Sequence, residues 1–285
     1  YERDGPDLVL HDDSGPALRI VGYFSQGTVD LVAPNGARLG AQTVARLAGP
    51  EAPGQYAQAS GVQTPTPSIA PIGQVESLTG TAFVQRTDGT VEELSVGEKV
   101  FLNDVVWTED ASVCALVFTD GTVFTMNANA RMVLDELVYD AGAESGNSAV
   151  FNLVEGGFVF IAGQVAQTGG MEIQTPAATM GIRGTTGIVE IELVDGIYRV
   201  SVTLERDPTG ELGEIELFDL SGNVIARLTG TETTWEVSTA DGSREIARTA
   251  KDQSEDAVIL ADAVSAYISA TGRAATGESL VPLGG

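Results

Sequence analysis

The chain has 285 residues, 43% of them hydrophobic, enough for one large domain or two to three small ones with a real core. Forty acidic residues against 15 basic ones leave a formal net charge of −25. Such a field repels nucleic acid and anionic membranes and excludes both as partners, while an acidic surface attracts cations, calcium weakly among them.

Residues 1–49 read as a β prefix region. Two β-like runs, Leu8–Leu10 and Ala17–Phe24, flank a DDSG turn. LVAPNGARLG repeats the pattern around Asn35-Gly36, a strong hairpin dipeptide. Residues 40–49 suit a short helix that ends at Gly49 before Pro50. Residues 50–71 are rich in Pro, Ala, Gly and Gln and read as a linker or a strap along the surface.

From 72 to 186 short apolar runs alternate with turn formers. Val75, Ala82 and Val84 lead into Asp88-Gly89, and Val113, Ala115, Val117 and Val123 flank Asp120-Gly121. Helices between parallel strands are absent, so the pattern predicts a sandwich, roll or solenoid and not an α/β sheet. The run VFNLVEGGFVFI, 150–161, predicts core strands with a central hairpin or bulge at Glu155-Gly156-Gly157, or else an edge that docks to another subunit. Residues 187–248 predict a β-meander of three hairpins with turns at Asp195-Gly196, Ser221-Gly222-Asn223 and Asp241-Gly242. In 249–285, apolar residues at Ala257, Leu260, Ala261, Val264, Tyr267 and Ile268 predict one amphipathic helix from Ser254, as N-cap, to about Ala270, stopped by Gly272. No run reaches the roughly 18 apolar residues of a membrane-spanning helix. A start at Tyr1 and not Met is expected of a processed chain or a portion of a longer one.

Within this pattern, LSVGEKVFLNDVVWTEDASVCALVFTDGTVFTM resembles the FecR domain. The family's cadence falls on Gly97, Val100, Asp104, Val106 and Thr108, then on Val117 to Thr122 around Asp120-Gly121. Its closing element falls on Thr175, Pro176, Ala178, Gly181, Ile182, Arg183, Gly184 and Thr185. The version found near the N-terminus of large alphaproteobacterial surface proteins, ahead of cadherin-like or RTX repeats, is similar to this one. The best-known members of the family are membrane-bound regulators that relay iron-uptake signals to a sigma factor. Their cytoplasmic segment and membrane helix have no counterpart here. The resemblance carries no enzymatic residues.

Candidate chemistry is sparse. Cys114 is the one cysteine, which excludes an intrachain disulfide, and its apolar neighbours predict an inert buried thiol. His11 is the one histidine, too few for a zinc site or a nucleophile–base pair. The acidic clusters Asp12-Asp13, Glu92-Glu93, Asp135-Glu136 and Asp252 with Glu255-Asp256 read as solvated surface, with neither an EF-hand nor a GGxGxD repeat. Gly181, Arg183 and Gly184 lack the lysine of a phosphate loop and predict a structural turn where backbone meets backbone, Arg183 paired to an acid. Arg273-Ala274-Ala275-Thr276 reads as linker.

The sequence therefore predicts a mainly β protein, a FecR-like sandwich or twisted solenoid-like module with hairpin extensions and one C-terminal amphipathic helix. The expected role is non-enzymatic anchoring or assembly at the surface of a Gram-negative bacterium. The expected partners are copies of the chain or other parts of a larger surface protein. Contact is expected through Phe151, Val154, Phe158 and Phe160 and through Pro53 and Tyr56 of the strap. No cofactor is expected beyond weakly bound calcium. The alternatives are a periplasmic signal-relay module and a carbohydrate-binding module, the latter needing a cleft lined by aromatics, which make up only 6% of the chain, with Trp107 and Trp235 the two tryptophans.

Overall fold

A computed structural model describes residues 1–12, 15–25, 29–49, 70–143 and 145–272. The N-terminal part builds a small cap. Strands β1 (Glu2–Asp4), β2 (Asp7–Asp12) and β3 (Gly15–Ile20) form an antiparallel meander. A 3-10 turn follows at Tyr23–Ser25, then the hairpin of β4 (Leu31–Val32) and β5 (Arg38–Leu39), then α1 (Ala41–Leu47). The hairpin turns at Asn35-Gly36 as predicted, with Gly36 at φ +89. Pro53 and Tyr56, with the rest of the expected strap up to residue 69, lie outside the described residues, as do Asp13 and Ser14 of the predicted DDSG turn and the 273–276 stretch.

Seventeen strands follow. In chain order they begin with β6 (Gly73–Thr79), β7 (Ala82–Gln85), β8 (Val91–Glu93), β9 (Lys99–Val100), β10 (Val105–Thr108), β11 (Val113–Phe118), β12 (Val123–Met126) and β13 (Arg131–Val138). The long β14 (Ser148–Ile161) leads through the single turn α2 (Gln164–Gln167) to β15 (Met171–Gln174) and β16 (Thr179–Arg183). The remainder are β17 (Thr186–Val194), β18 (Ile197–Glu205), β19 (Glu214–Phe218), β20 (Val224–Leu228), β21 (Thr233–Ser238) and β22 (Gly242–Ala247). Helix α3 (Ala250–Thr271) closes the described chain.

Strand pairing divides these into two layers that share β14. Sheet I runs β8-β7-β10-β13-β14-β15-β16-β19-β20. Sheet II runs β9-β6-β11-β12-β14-β17-β18-β21-β22. The first half of β14 belongs to sheet I and the second half to sheet II. The strand changes layer at Glu155-Gly156-Gly157, where Gly156 takes φ +90 and a Cβ there would sit 2.5 Å from Ala130 Cα. Of the predicted hairpin or bulge, the structure has the bulge: β14 is one strand, and its register against β13 shifts beside Glu155, leaving Val154 as the extra residue. The predicted meander is corrected. Its first and third hairpins extend sheet II, but β19–β20 crosses to pair with β16 in sheet I. Residues 187–248 therefore enlarge the sandwich begun by 72–186.

Alternation along each strand fills the space between the layers. Cys114, Leu116 and Phe118 of β11 point inward while Ala115 and Val117 point out. Phe118 and Phe124 of sheet II meet Phe151 of sheet I at ring-centroid distances of 4.9 and 4.7 Å. The outward face of sheet II is covered by α3, whose Ala263, Val264, Ala266 and Tyr267 lie on Ala115, Val123, Val159, Ile161 and Ile188. The outward face of sheet I carries the cap, whose Leu8, Tyr23, Leu39, Val44 and Leu47 cover Val105, Val133 and Val154. Central strands buried on both faces read as near-continuous apolar runs, so VFNLVEGGFVFI is the core strand predicted, and not the alternative docking edge.

Helix α3 begins one turn earlier than predicted. Thr249, not Ser254, is the N-cap: its side chain accepts from Asp252 N–H while the Asp252 carboxylate accepts from Thr249 N–H. Gly272 ends it in the left-handed conformation, as expected.

Candidate functional site

The residues that carry the family cadence are spent on the scaffold. Asp104 is 1% exposed. Its Oδ2 accepts from Arg86 Nη1 at 2.7 Å and from Phe101 N–H at 2.8 Å. Burial pushes its carboxyl above the usual carboxylate range, with Arg86 and the Phe101 N–H pulling the other way. Thr108 Oγ1 donates to Asn127 C=O and accepts from Ala130 N–H. Asp120 is buried and accepts from both the N–H and the hydroxyl of Thr122, whose Oγ1 accepts in turn from Gly163 N–H. That knot ties the Asp120-Gly121 turn to the start of α2. Thr175 Oγ1 closes a tight turn by donating to Ala178 C=O and accepting from Ala178 N–H.

Gly184, at φ +51, carries the chain from sheet I to sheet II. A Cβ on Gly213 would lie 2.0 Å from Arg183 C=O and 2.3 Å from Gly184 C=O, so backbone does meet backbone here. Gly181 and Arg183 themselves lie in β16. Arg183 is exposed and makes no ion pair among the described residues, unlike the expected acid-paired arginine.

The other expected site residues are placed as follows. Phe151, Phe158 and Phe160 are 0% exposed in the inter-sheet core, and Val154 lies beneath the cap. They are not a contact surface: each is already buried against this chain's own strands. Cys114 is buried, and the apolar surroundings push its thiol up to about 12. His11, on β2, shares a 2.7 Å contact with Glu2 Oε2 and is partly exposed. Among the described residues, no three His, Cys, Asp or Glu side chains converge as a metal site would need.

Two features lie where the cap meets sheet I, and neither was legible beforehand. The first is a cross-strand row in register: Glu93, Phe83, Trp107, Arg131 and Glu155. Phe83 stacks on Trp107 at 5.5 Å, and the Arg131 guanidinium lies 5.0 Å from the Trp107 ring centre. Its two ring faces are thus occupied within the protein, so Trp107 does not offer the open aromatic platform that a carbohydrate-binding cleft would need. The second is a cavity of about 280 Å³ between the β4–β5 hairpin, α1 and the outward face of β14, β15 and β16. Its only sequence trace is a polar residue inside an apolar run, Asn152 in VFNLV.

Residues 104–204 match the FecR protein family. The matched stretch opens at Asp104, the buried partner of Arg86, and runs through the β17–β18 hairpin, beyond the closing element at Thr185. It says nothing of adhesin-like surface proteins. No curated protein matches the chain. Two crystal structures of a candidate anti-sigma factor from Parabacteroides distasonis, at 2.50 and 1.65 Å, are similar at 19% identity and a TM-score of 0.39. The likeness covers 54% of this chain and 62% and 64% of theirs, so this chain spans under two thirds of either.

Proposed function

We propose that the chain is a non-enzymatic relay module of the periplasm, passing a signal by protein contact and not by chemistry. The FecR match over residues 104–204 carries this reading. It favours relay over the anchoring or assembly role expected from the sequence. The use of the family's residues agrees with it. Asp104, Thr108, Asp120 and Thr175 hold turns and cross-layer ties in place, so in this chain the residues that carry the family cadence shape a β surface. No described helix is long and apolar enough to cross a membrane.

The test is transcriptional. In the host, the coding segment for residues 72–248 is deleted and then restored. A relay predicts a coherent change in a small set of transcripts, reversed by the restored segment. Altered surface attachment with an unchanged transcriptome would return the anchoring role.

A further inference from the structure

We propose that the cavity beneath the cap binds a small, neutral, polyhydroxylated molecule of about monosaccharide size. The observation behind it is a change of chemistry along one cross-strand row. Val105, Val133, Asn152, Gln174 and Thr179 are paired in register across β10, β13, β14, β15 and β16. The first two sit under the cap's apolar core. The last three form a polar floor, and the cap does not descend onto them. A cavity of about 280 Å³ lies between that floor and a roof of Asp30, Arg38 and Thr43.

The floor and roof leave hydrogen-bonding capacity open. Asn152 is 6% exposed, and its amide donates to Asp135 Oδ2 at 3.0 Å while its carbonyl oxygen has no partner among the described residues. Gln174 Nε2 donates to Glu172 Oε1, and its carbonyl oxygen is likewise open. Thr43 is 4% exposed, and neither its hydroxyl nor that of Thr179 has a side-chain partner there. Two acceptors and two hydroxyls thus face one space. None of these four atoms is sealed from solvent, so a polar ligand entering the space can bond them in place of water.

Charge and size narrow the occupant. Arg38 and Asp30 neutralise each other through Nε to Oδ2 at 2.7 Å, and Asp30 also accepts from Ala41 N–H at 2.9 Å. That leaves no free cationic group for an anion, and the net charge of −25 repels one. A polyol suits the open groups because each hydroxyl both donates and accepts. The volume lies just under the roughly 300–1,000 Å³ of ordinary small-molecule pockets, which fits one sugar ring and not a chain of them. Leu39 and Val154 supply apolar walls for ring carbons. A ligand there touches cap and sandwich at once, so it ties the two together. This inference does not rest on the relay reading, and either can fail without the other.

The test uses the full chain with D-glucose, D-galactose, N-acetyl-D-glucosamine and myo-inositol as probes, and D-glucuronate as the charged control. Binding is read by saturation-transfer NMR and by the melting temperature. At least one neutral probe saturates and raises the melting temperature with concentration, while glucuronate binds more weakly. Gln174→Leu and Thr43→Val each weaken binding roughly fivefold to tenfold, the size of one lost neutral hydrogen bond. Arg227→Ala, which breaks an ion pair with Glu214 and Glu216 outside the cavity, leaves binding unchanged. Should Thr43→Val unfold the cap, Thr179→Val on the strand floor carries the same test. Failure of every neutral probe to saturate at millimolar concentration would mean a cavity filled by water alone and would overturn the proposal. So would binding that the floor and roof variants do not alter.

Discussion

Replacing Arg86 by alanine tests whether Asp104, which carries part of the family cadence, is a structural group. The guanidinium is 16% exposed and reaches Asp104 at 2.7 Å, Glu92 at 2.8 Å and Glu98 at 3.6 Å. The two glutamates are exposed enough for their pairs to be worth little. Asp104 differs, because its side chain is 2% exposed and only Phe101 N–H would remain as a partner. Removing one member of a buried pair costs about 3–5 kcal/mol, since the other charge stays buried without compensation. For a chain of this size that is a drop in melting temperature of roughly 10 °C. The pH dependence is specific. Burial already holds the Asp104 carboxyl above its ordinary value, and losing Arg86 raises it further. A raised carboxyl contributes stability below its unfolded pKa, and that contribution is lost as pH rises through the folded one. The gap between variant and parent should therefore be widest at neutral pH and close as pH falls toward about 4. Urea unfolding followed by circular dichroism across that range reads it, and Asp104→Asn added to Arg86→Ala should recover most of the loss. A deficit under about 1 kcal/mol, or one that does not change with pH, would refute the buried-pair account.

Phe151→Ala should cost about 3–5 kcal/mol in urea unfolding, because its ring joins Phe118 and Phe124 across the two layers. Cys114 should resist a thiol reagent in the native protein and react on unfolding, since its thiol is buried and pushed up to about 12; rapid labelling of native protein would contradict its placement. Thr249→Ala should cost about 1 kcal/mol and loosen the first turn of α3, seen as faster amide exchange there, while Ser254→Ala should leave that turn unchanged.

Several features follow from local sequence alone. Asp-Gly and Asn-Gly pairs between β-branched runs fixed the turns at Gly36, Gly89, Gly121, Gly196 and Gly242, all at positive φ, because that conformation is cheap for glycine. The hairpin predicted around Asp195-Gly196 became β17 and β18, and the spacing from Leu260 to Tyr267 gave α3. The N-cap was misplaced because two candidates stand within five residues, and only Thr249 has an acid three positions on to complete the reciprocal pair. What the sequence could not decide is which layer each strand joins. Hairpin turns specify a neighbour but not a sheet, so β19–β20 looks like the middle of a meander until β16 claims it. Nor could the sequence separate a strand buried on both faces from an exposed apolar edge. The difference lies in what the cap and α3 lay over the outer faces, from more than 100 residues away in the chain for Ala263 on Val159. The cavity is the extreme case. Asn152, Gln174, Thr179 and Thr43 come from four separate elements, and only register across the sheet, with the cap's stance above it, brings their open hydrogen-bonding groups to one space.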